Sequence, residues 1–498
     1  MCGIVAAHGA TDRAALERML ARLEHRGPDD SGSVAVNGSW LGHRRLSIVD
    51  VGGGAQPLHD PEGVLWLVGN GEVYNHEAVR GGLDDRPFLT SSDNEVALHL
   101  LDERGPDALS ELNGMFAFVA AGHDGRFVAA RDPVGIKPLY WARRGHEVLF
   151  ASEMHVFDVD WQPYVEPFPP GCAWTPDHGL VRFARALPDD PAPAPEHRWI
   201  SGTREALVGS VHRQLMGDVP VGVFLSGGLD SSLVAAIAAR VLAGRGERLK
   251  TFAVGTPGSP DLAAARRVAE HLWTEHHETT YTAEEALEAL PGVVRSIESF
   301  DPGLVRSAVP NYMLARATAE HVKVVLTGEG ADELFAGYDY MREFTDPAGL
   351  HAELERTVCS LHNLNLQRCD RVTMAHGLEA RVPFLDREVI DWAMSLPAEA
   401  KVAGPGVPEK RLLREAFQGW LPHDLLWRDK AEFGDGSGAR EALSSAIEGA
   451  ISDEELEAER DAVDPPLRTK EELAYYRIFR DHLPGVDAGV AISRFAQA

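Results

Sequence analysis

The chain has 498 residues, room for two or three domains at roughly 150 residues each, and its 44% hydrophobic and 25% charged content excludes a disordered or fibrous protein. Its 48 Lys and Arg against 76 Asp and Glu leave a formal net charge of -28, a field that repels nucleic-acid phosphates and anionic lipid, so neither is expected as a partner. An anionic ligand needs a cationic or metal-filled pocket inside that field, which makes a divalent metal an expectation. The 4 cysteines (Cys2, Cys172, Cys359, Cys369) include no CxxC pair, so neither a disulfide framework nor a four-thiolate zinc site follows. With no signal-peptide layout and no apolar run near the roughly 18 residues of a membrane span, a cytoplasmic protein is expected.

In chain order, the first 155 residues carry short apolar runs that read as strands: GIVAAHG (3–9), VLWLVGN (64–70), GMFAFVAAGHDGRFVAARD (114–132) and HEVLFASE (146–153). Asp124-Gly125 is a hairpin signal, and residues 13–24 have helical spacing. Residues 186–200 are rich in Pro and acidic side chains and read as an extended linker. Beyond it apolar runs alternate with helical stretches: VPVGVFL (219–225), LKTFAVG (249–255) and VKVVLTG (322–328) each end in a loop. This is the βαβ pattern of a doubly wound parallel sheet, whose ligands gather at the strands' carboxyl ends, where loops 226–230, 255–259 and 328–333 converge. From about residue 350 the reading is mostly helical.

Cys2 follows the initiator Met. Once Met1 is trimmed, an α-amine with an ordinary pKa of about 7.7–8.0 stands beside the thiol, and nucleophile and base share one residue. Downstream stand HRGPDDSG (25–32), HRRLSIVD (43–50), GNGEVYNH (69–76), SSDNEV (91–96) and RDPVGIKPLY (131–140). Together they resemble the glutaminase domain of class II glutamine amidotransferases, over residues 1–185. That resemblance implies an N-terminal-nucleophile αββα sandwich in which Cys2 attacks the glutamine amide and Asn70 and Gly71 hold the oxyanion. Arg45 would bind the α-carboxylate, Asp93 the α-ammonium, and Leu46, Ser47, Ile48, Val49 and Glu72 would line the ligand. Ser91 stands where this pattern often has Gly.

FLSGGLDSS (224–232) follows a strand and opens a helix, where backbone amides and the helix N-terminus suit phosphate oxygens. There is no GK[ST], so it is not a Walker A loop. It resembles the pyrophosphate loop of ATP pyrophosphatases. With AVGTPGSPDL (253–262), TGEGADELFAGY (327–338), DRVTMAHGLEARVPFLD (370–386) and EKRLLREAF (409–417), residues from about 201 to 435 resemble glutamine-hydrolysing asparagine synthetases, which makes 201–498 the expected synthetase domain. The resemblance implies a two-domain α/β protein whose second half is a doubly wound ATP-pyrophosphatase domain with added helices. It also implies glutamine, aspartate and ATP as substrates, and a homodimer.

By the same resemblance, Phe224, Ser226, Gly227, Gly228, Leu229, Asp230, Ser231, Val254, Thr327 and Gly328 would contact ATP. Asp230 and Asp332 would hold Mg²⁺, Lys430 in WRDKAEFGDG (427–436) would offset phosphate charge, and Glu329 would act near the incoming amine. Ammonia must cross between the sites unprotonated, and residues 114–118 and 374–384 are candidate walls of a dry passage or simply core. Trp273, Thr327 and Ala336 depart from the family pattern. They leave a second reading open, the same chemistry on another carboxylic acid. No role follows for the tail after about 440.

Overall fold

The computed structural model describes residues 2–10, 12–83, 86–189, 191–402, 407–430, 443 and 447–495. Met1 and residues 431–436 of the WRDKAEFGDG motif lie outside them.

The N-terminal half stacks two antiparallel sheets. Its strands are β1 (Gly3–His8), β2 (Asp30–Val36), β3 (Ser39–Arg45), β4 (Leu58–His59), β5 (Leu65–Val73), β6 (Gly114–Gly122), β7 (Phe127–Arg131), β8 (Tyr140–Arg144), β9 (Glu147–Ala151), β10 (Val165–Pro167), β11 (Cys172–Thr175) and β12 (Gly179–Arg182). One sheet has the order β10-β8-β9-β1-β3-β2, the other β12-β11-β7-β6-β5-β4. The period of two along each strand builds the layers. Ile4 and Ala6 point between the sheets onto Val119 and Ala129. Val5 and Ala7 point outward to Leu16 and Met19 of the helix Arg13–Ala21. On the far side, Leu67 and Phe118 cover Val96 and Leu100 of the helix Glu95–Arg104. The result is the expected αββα sandwich, and β6 and β7 turn at Asp124-Gly125, with Gly125 at φ 93°.

Residues 183–189 and 191–195 form neither helix nor strand, and the Ala194 amide docks on Ser395 O at 2.8 Å. The C-terminal half then lays down β13 (Val221–Phe224), β14 (Lys250–Gly255), β15 (Glu275–Thr280), β16 (Val324–Leu326) and β17 (Glu379–Arg381). All are parallel, in the order β15-β14-β13-β16-β17. The order reverses between β13 and β16, and the crevice at such a switch point is where a doubly wound sheet binds ligand. After 350 the described residues are mostly helical as expected, with β17 as a strand among them. Its Glu-Ala-Arg sequence has no strand pattern, and only its neighbour β16 makes it one.

The halves share a buried seam. Leu46 and Ile48, with Val49, pack on Val324, Val219 and Val221. Met115 lies in one apolar cluster with Leu378, Ala380 and Val382. Lys323 pairs with Asp29 at 2.7 Å, and Arg381 faces Glu72 at 3.4 Å.

Candidate functional site

Cys2 is buried just before β1, and its backbone N–H donates to Asn70 Oδ1 at 2.9 Å. Asn70 is fully buried on β5, and its Nδ2 has no partner, a donor available beside the thiol. Gly71 has φ 146°, and a Cβ there would stand 1.9 Å from Met115 O, so only glycine fits. Burial pushes the Cys2 thiol above its ordinary value, and a hydrogen bond from the Leu46 amide works the other way. As a nucleophile it would need an activating base, which the trimmed α-amine would supply.

Arg45 and Asp93 lie in the same buried region but are engaged differently. The Arg45 guanidinium donates to Asp50 O at 2.7 Å, Val51 O at 3.2 Å and Val49 O at 3.3 Å, bracing the loop it would share with a ligand. Asp93 accepts from Val73 N at 2.6 Å and Asn94 Nδ2 at 3.0 Å, and burial raises its pKa, so a ligand cation would relieve it. In loop 46–49 the apolar side chains are turned into the seam, the Ser47 amide donates to Asp29, and Ile48 O accepts from Asp218 N. The loop can therefore offer a ligand little beyond backbone. Burial and Glu379 together raise the Glu72 carboxyl well above its ordinary range. Ser91, the departure from pattern, donates its amide to Asp50 Oδ2 at 2.8 Å and keeps the loop closed.

In the second half, a cavity of about 810 Å³ opens over the switch point. Phe224, Ser226, Gly228, Asp230, Ser231, Val254, Thr327, Gly328, Glu329, Asp332 and Lys430 all line it. Gly227 and Leu229 do not, nor does loop 255–259. Gly227 instead turns at φ 75° against Ala264 and Ala265, where a Cβ would come within 2.6 Å, and so shapes the loop. Gly228 caps the helix Leu229–Gly244, and Ser226 and Ser231 link Oγ to Oγ at 3.0 Å across the turn. Gly328 lets its strand end approach Asp230, whose Cβ would lie 2.8 Å from an added one.

Beside the cavity, with Lys410 buried behind its lining, lies a lattice of charge. Lys410 Nζ lies 2.5 Å from Asp230 Oδ2 and 2.7 Å from Asp332 Oδ1, which also accepts from Lys430 Nζ at 2.7 Å. Burial alone would raise Asp332, but Lys410 and Lys430 hold it at about 2. Asp230 is raised by burial against the pull of Lys410, and its Oδ1 is buried without a partner. Glu329 pairs with Arg368, yet burial still lifts its pKa. Glu333 is lifted further, to about 7, by burial and by Asp332, and Tyr338 OH donates to it at 2.6 Å.

Several of these residues had no role in the sequence reading. Lys410 sits inside the quoted EKRLLREAF segment, but its partner Asp230 is 180 residues away. Arg306, on the helix Pro302–Thr318, lines the cavity and pairs with Glu471 of the tail helix Lys470–His482. Phe495 also lines the cavity, its amide held by Asp301 at 2.8 Å and its carbonyl by Arg468 at 2.8 Å. The tail thus walls one end of the cavity.

Of the departures, Trp273 is 73% exposed and stacks under Arg248, so it does not reshape the core. Ala336 sits at φ 51°, the left-handed region that explains a glycine preference there.

Comparison with known proteins matches this arrangement half by half. A profile for a glutamine amidotransferase domain matches residues 1–166, and one for asparagine synthase matches 202–348 and 342–494. The chain is 41% identical over 486 residues to the glutamine-hydrolysing asparagine synthetase B of Escherichia coli (strain K12), covering 93% of this chain and 87% of that protein. The chain belongs to the glutamine-hydrolysing asparagine synthetase family. Other asparagine synthetases are similar across kingdoms: that of Asparagus officinalis is 41% identical over 466 residues, covering 88% of this chain and 78% of its own. A probable asparagine synthetase of Schizosaccharomyces pombe (strain 972 / ATCC 24843) is 40% identical over 527 residues, covering 97% and 93%. Among the described residues, no helix is long and apolar enough to cross a membrane.

Proposed function

We propose that this asparagine synthetase family member makes asparagine from aspartate, glutamine and ATP, with residues 1–185 as the glutaminase unit, 186–200 as connector and 201–498 as the synthetase unit. At Cys2 the thiol proton passes to the α-amine exposed by loss of Met1, and the sulfur attacks the glutamine amide carbon. The oxyanion is held by Asn70 Nδ2 and the Gly71 amide; ammonia leaves, and water hydrolyses the thioester to glutamate. Arg45 and Asp93 fix the α-carboxylate and α-ammonium. The observation that carries this half is the buried, unpartnered Asn70 amide beside Cys2.

In the second half, the aspartate β-carboxylate attacks the α-phosphorus of ATP. Pyrophosphate leaves through the 226–231 loop, and β-aspartyl-AMP is formed. Ammonia then displaces AMP to give asparagine, with Glu329 placed to accept the proton lost by the amine. Lys410 and Lys430 offset phosphate charge. Two carboxylates, one with an unpartnered oxygen, fit Mg²⁺, and Asp230 and Asp332 would hold it. When bound, the ion neutralises developing negative charge on the phosphates.

The buried apolar cluster that Met115 shares with Ala380 and Val382 supports a dry path between the sites, and the unpaired state of all four cysteines supports a reducing compartment such as the cytoplasm. A homodimer is part of the same proposal, read from the resemblance alone and tested by sedimentation velocity.

The test is pyrophosphate release from ATP, Mg²⁺ and glutamine with and without aspartate, with asparagine quantified by mass spectrometry. Aspartate-dependent pyrophosphate matched by asparagine is expected. Glutamine hydrolysis without aspartate-dependent pyrophosphate would mean another carboxylic acid is the acceptor.

A further inference from the structure

The helix Asn365–Met374 belongs to the synthetase half, yet one turn of it reaches both centres. Arg368 leaves this turn toward the cavity and pairs with Glu329. Two residues on, Asp370 crosses the seam and accepts from Arg26, Oδ2 from Nη1 at 2.8 Å and Oδ1 from Nη2 at 3.3 Å. Arg26 in turn donates through Nε to the carbonyl oxygen of Cys2 at 3.0 Å, and through Nη1 to Glu153 at 2.7 Å. Its guanidinium is thus shared among the backbone of the nucleophile, a carboxylate of the same half and a carboxylate of the other.

Burial makes this arrangement consequential. Arg26, Asp370, Arg371, Glu153, Glu298 and Lys137 are each at most 4% exposed, three cations with three carboxylates. Glu153 cannot compensate Arg26 alone, because Arg371 Nη1 claims the same Oε1 at 2.9 Å. A buried cation deprived of one partner is strongly disfavoured and moves toward whatever acceptor is left. For Arg26 the acceptors left are Glu153 and the Cys2 carbonyl, so the guanidinium resettles between them and the backbone it holds moves with it. The Cys2 backbone has a second tether, the Asn70 bond already described, so a displaced Arg26 tether shifts the sulfur relative to the Asn70 amide while leaving the pocket's Arg45 and Asp93 in place. A displacement of this kind reduces the rate of attack more than the binding of glutamine.

We propose that Asp370 is a positioning residue for glutamine hydrolysis: a side chain of the synthetase half that, through Arg26, fixes the nucleophile of the glutaminase half. The glutaminase centre is therefore incomplete without the helix that also carries Arg368 onto Glu329. The inference rests on Cys2 being the nucleophile, as proposed above.

The test uses the full-length enzyme and three variants, with glutaminase kcat and KM, ammonia-driven asparagine synthesis and the thermal transition measured for each. Asp370→Ala is expected to lower glutaminase kcat by about tenfold or more, with glutamine KM and ammonia-driven synthesis held within about twofold. Asp370→Asn keeps one acceptor for Arg26 and is expected to fall between it and the parent, with a loss of about threefold confined to the glutaminase. A folded Asp370→Ala enzyme with unchanged glutaminase kcat, or with equal loss of both activities, overturns the proposal. If that variant lacks a cooperative thermal transition, Asp370→Asn decides by the same criterion: a loss confined to the glutaminase supports the role and its absence overturns it. Cys2→Ala separates the two levels. If it still consumes glutamine, the assignment of Cys2 fails; if it does not, while Asp370→Ala behaves as the parent, only the positioning role fails.

Discussion

The two centres solve opposite electrostatic problems. Around Cys2 the polar groups are held by strands and by buried ion pairs: Asn70 and Gly71 on β5, Asp93 just before a helix buried from Glu95 to Leu101, and Arg26 fixed between Glu153 and Asp370. Burial raises the thiol's pKa and keeps it neutral. At the switch point the opposite holds, with Asp230, Asp332 and Glu329 meeting Lys410, Lys430 and Arg368 on loops and helix ends. Charge there is balanced in advance of a highly charged substrate. A neutral amide is best met by a preorganised dipole, whereas ATP needs cations already desolvated and aimed. Against the net charge of -28, Lys410 and Arg368 are cations buried beside the switch-point carboxylates.

If that contrast is right, breaking one centre leaves the other working. The largest expected effect is at the charge lattice. Lys410→Met removes the cation shared by two carboxylates, and pyrophosphate release is expected to fall by about a thousandfold with either nitrogen source. Stopped glutaminase in the same variant would contradict the separation. Next comes Asn70→Ala, which removes the proposed oxyanion donor and is expected to lower glutaminase kcat by about 10²–10³ while ammonia-driven synthesis is unchanged.

The smallest effect is on stability against pH. Burial holds the His43 ring at about 3, with Nε2 bonded to Gly69 O at 3.0 Å, so in the folded state it stays neutral. The unfolded ring takes a proton below its ordinary pKa of about 6.5, so the stability His43 contributes is present above that pH and is lost as pH falls toward 3. His43→Gln is expected to flatten the unfolding free energy between pH 4 and 6 by about 1.4 kcal/mol per pH unit, read from denaturant midpoints. An unaltered slope would mean that the ring is already charged in the fold.

The same contrast governs what could be read in the sequence. The glutaminase centre is local: Asn70 and Gly71 sit in one strand, and their motifs name them. Alternation along β1 likewise betrays the sandwich. The SGGLDSS loop is legible because strand, turn and helix are contiguous. Lys410 is not, since a lysine in EKRLLREAF acquires its role only when the fold brings Asp230 and Asp332 to it. β17 escaped because its strand character is lent by β16. Arg26 was visible in HRGPDDSG, but its partner Asp370 lies across the seam, 344 residues on. Buried long-range ion pairs leave no periodicity, so tertiary contact alone reveals them.

The most direct measurement of the separation is Cys2→Ala assayed for asparagine with glutamine and, separately, with ammonium as nitrogen source. The expected result is no asparagine from glutamine and a parental rate from ammonia. Asparagine made from glutamine by this variant, or a folded enzyme inactive with both sources, would contradict the account.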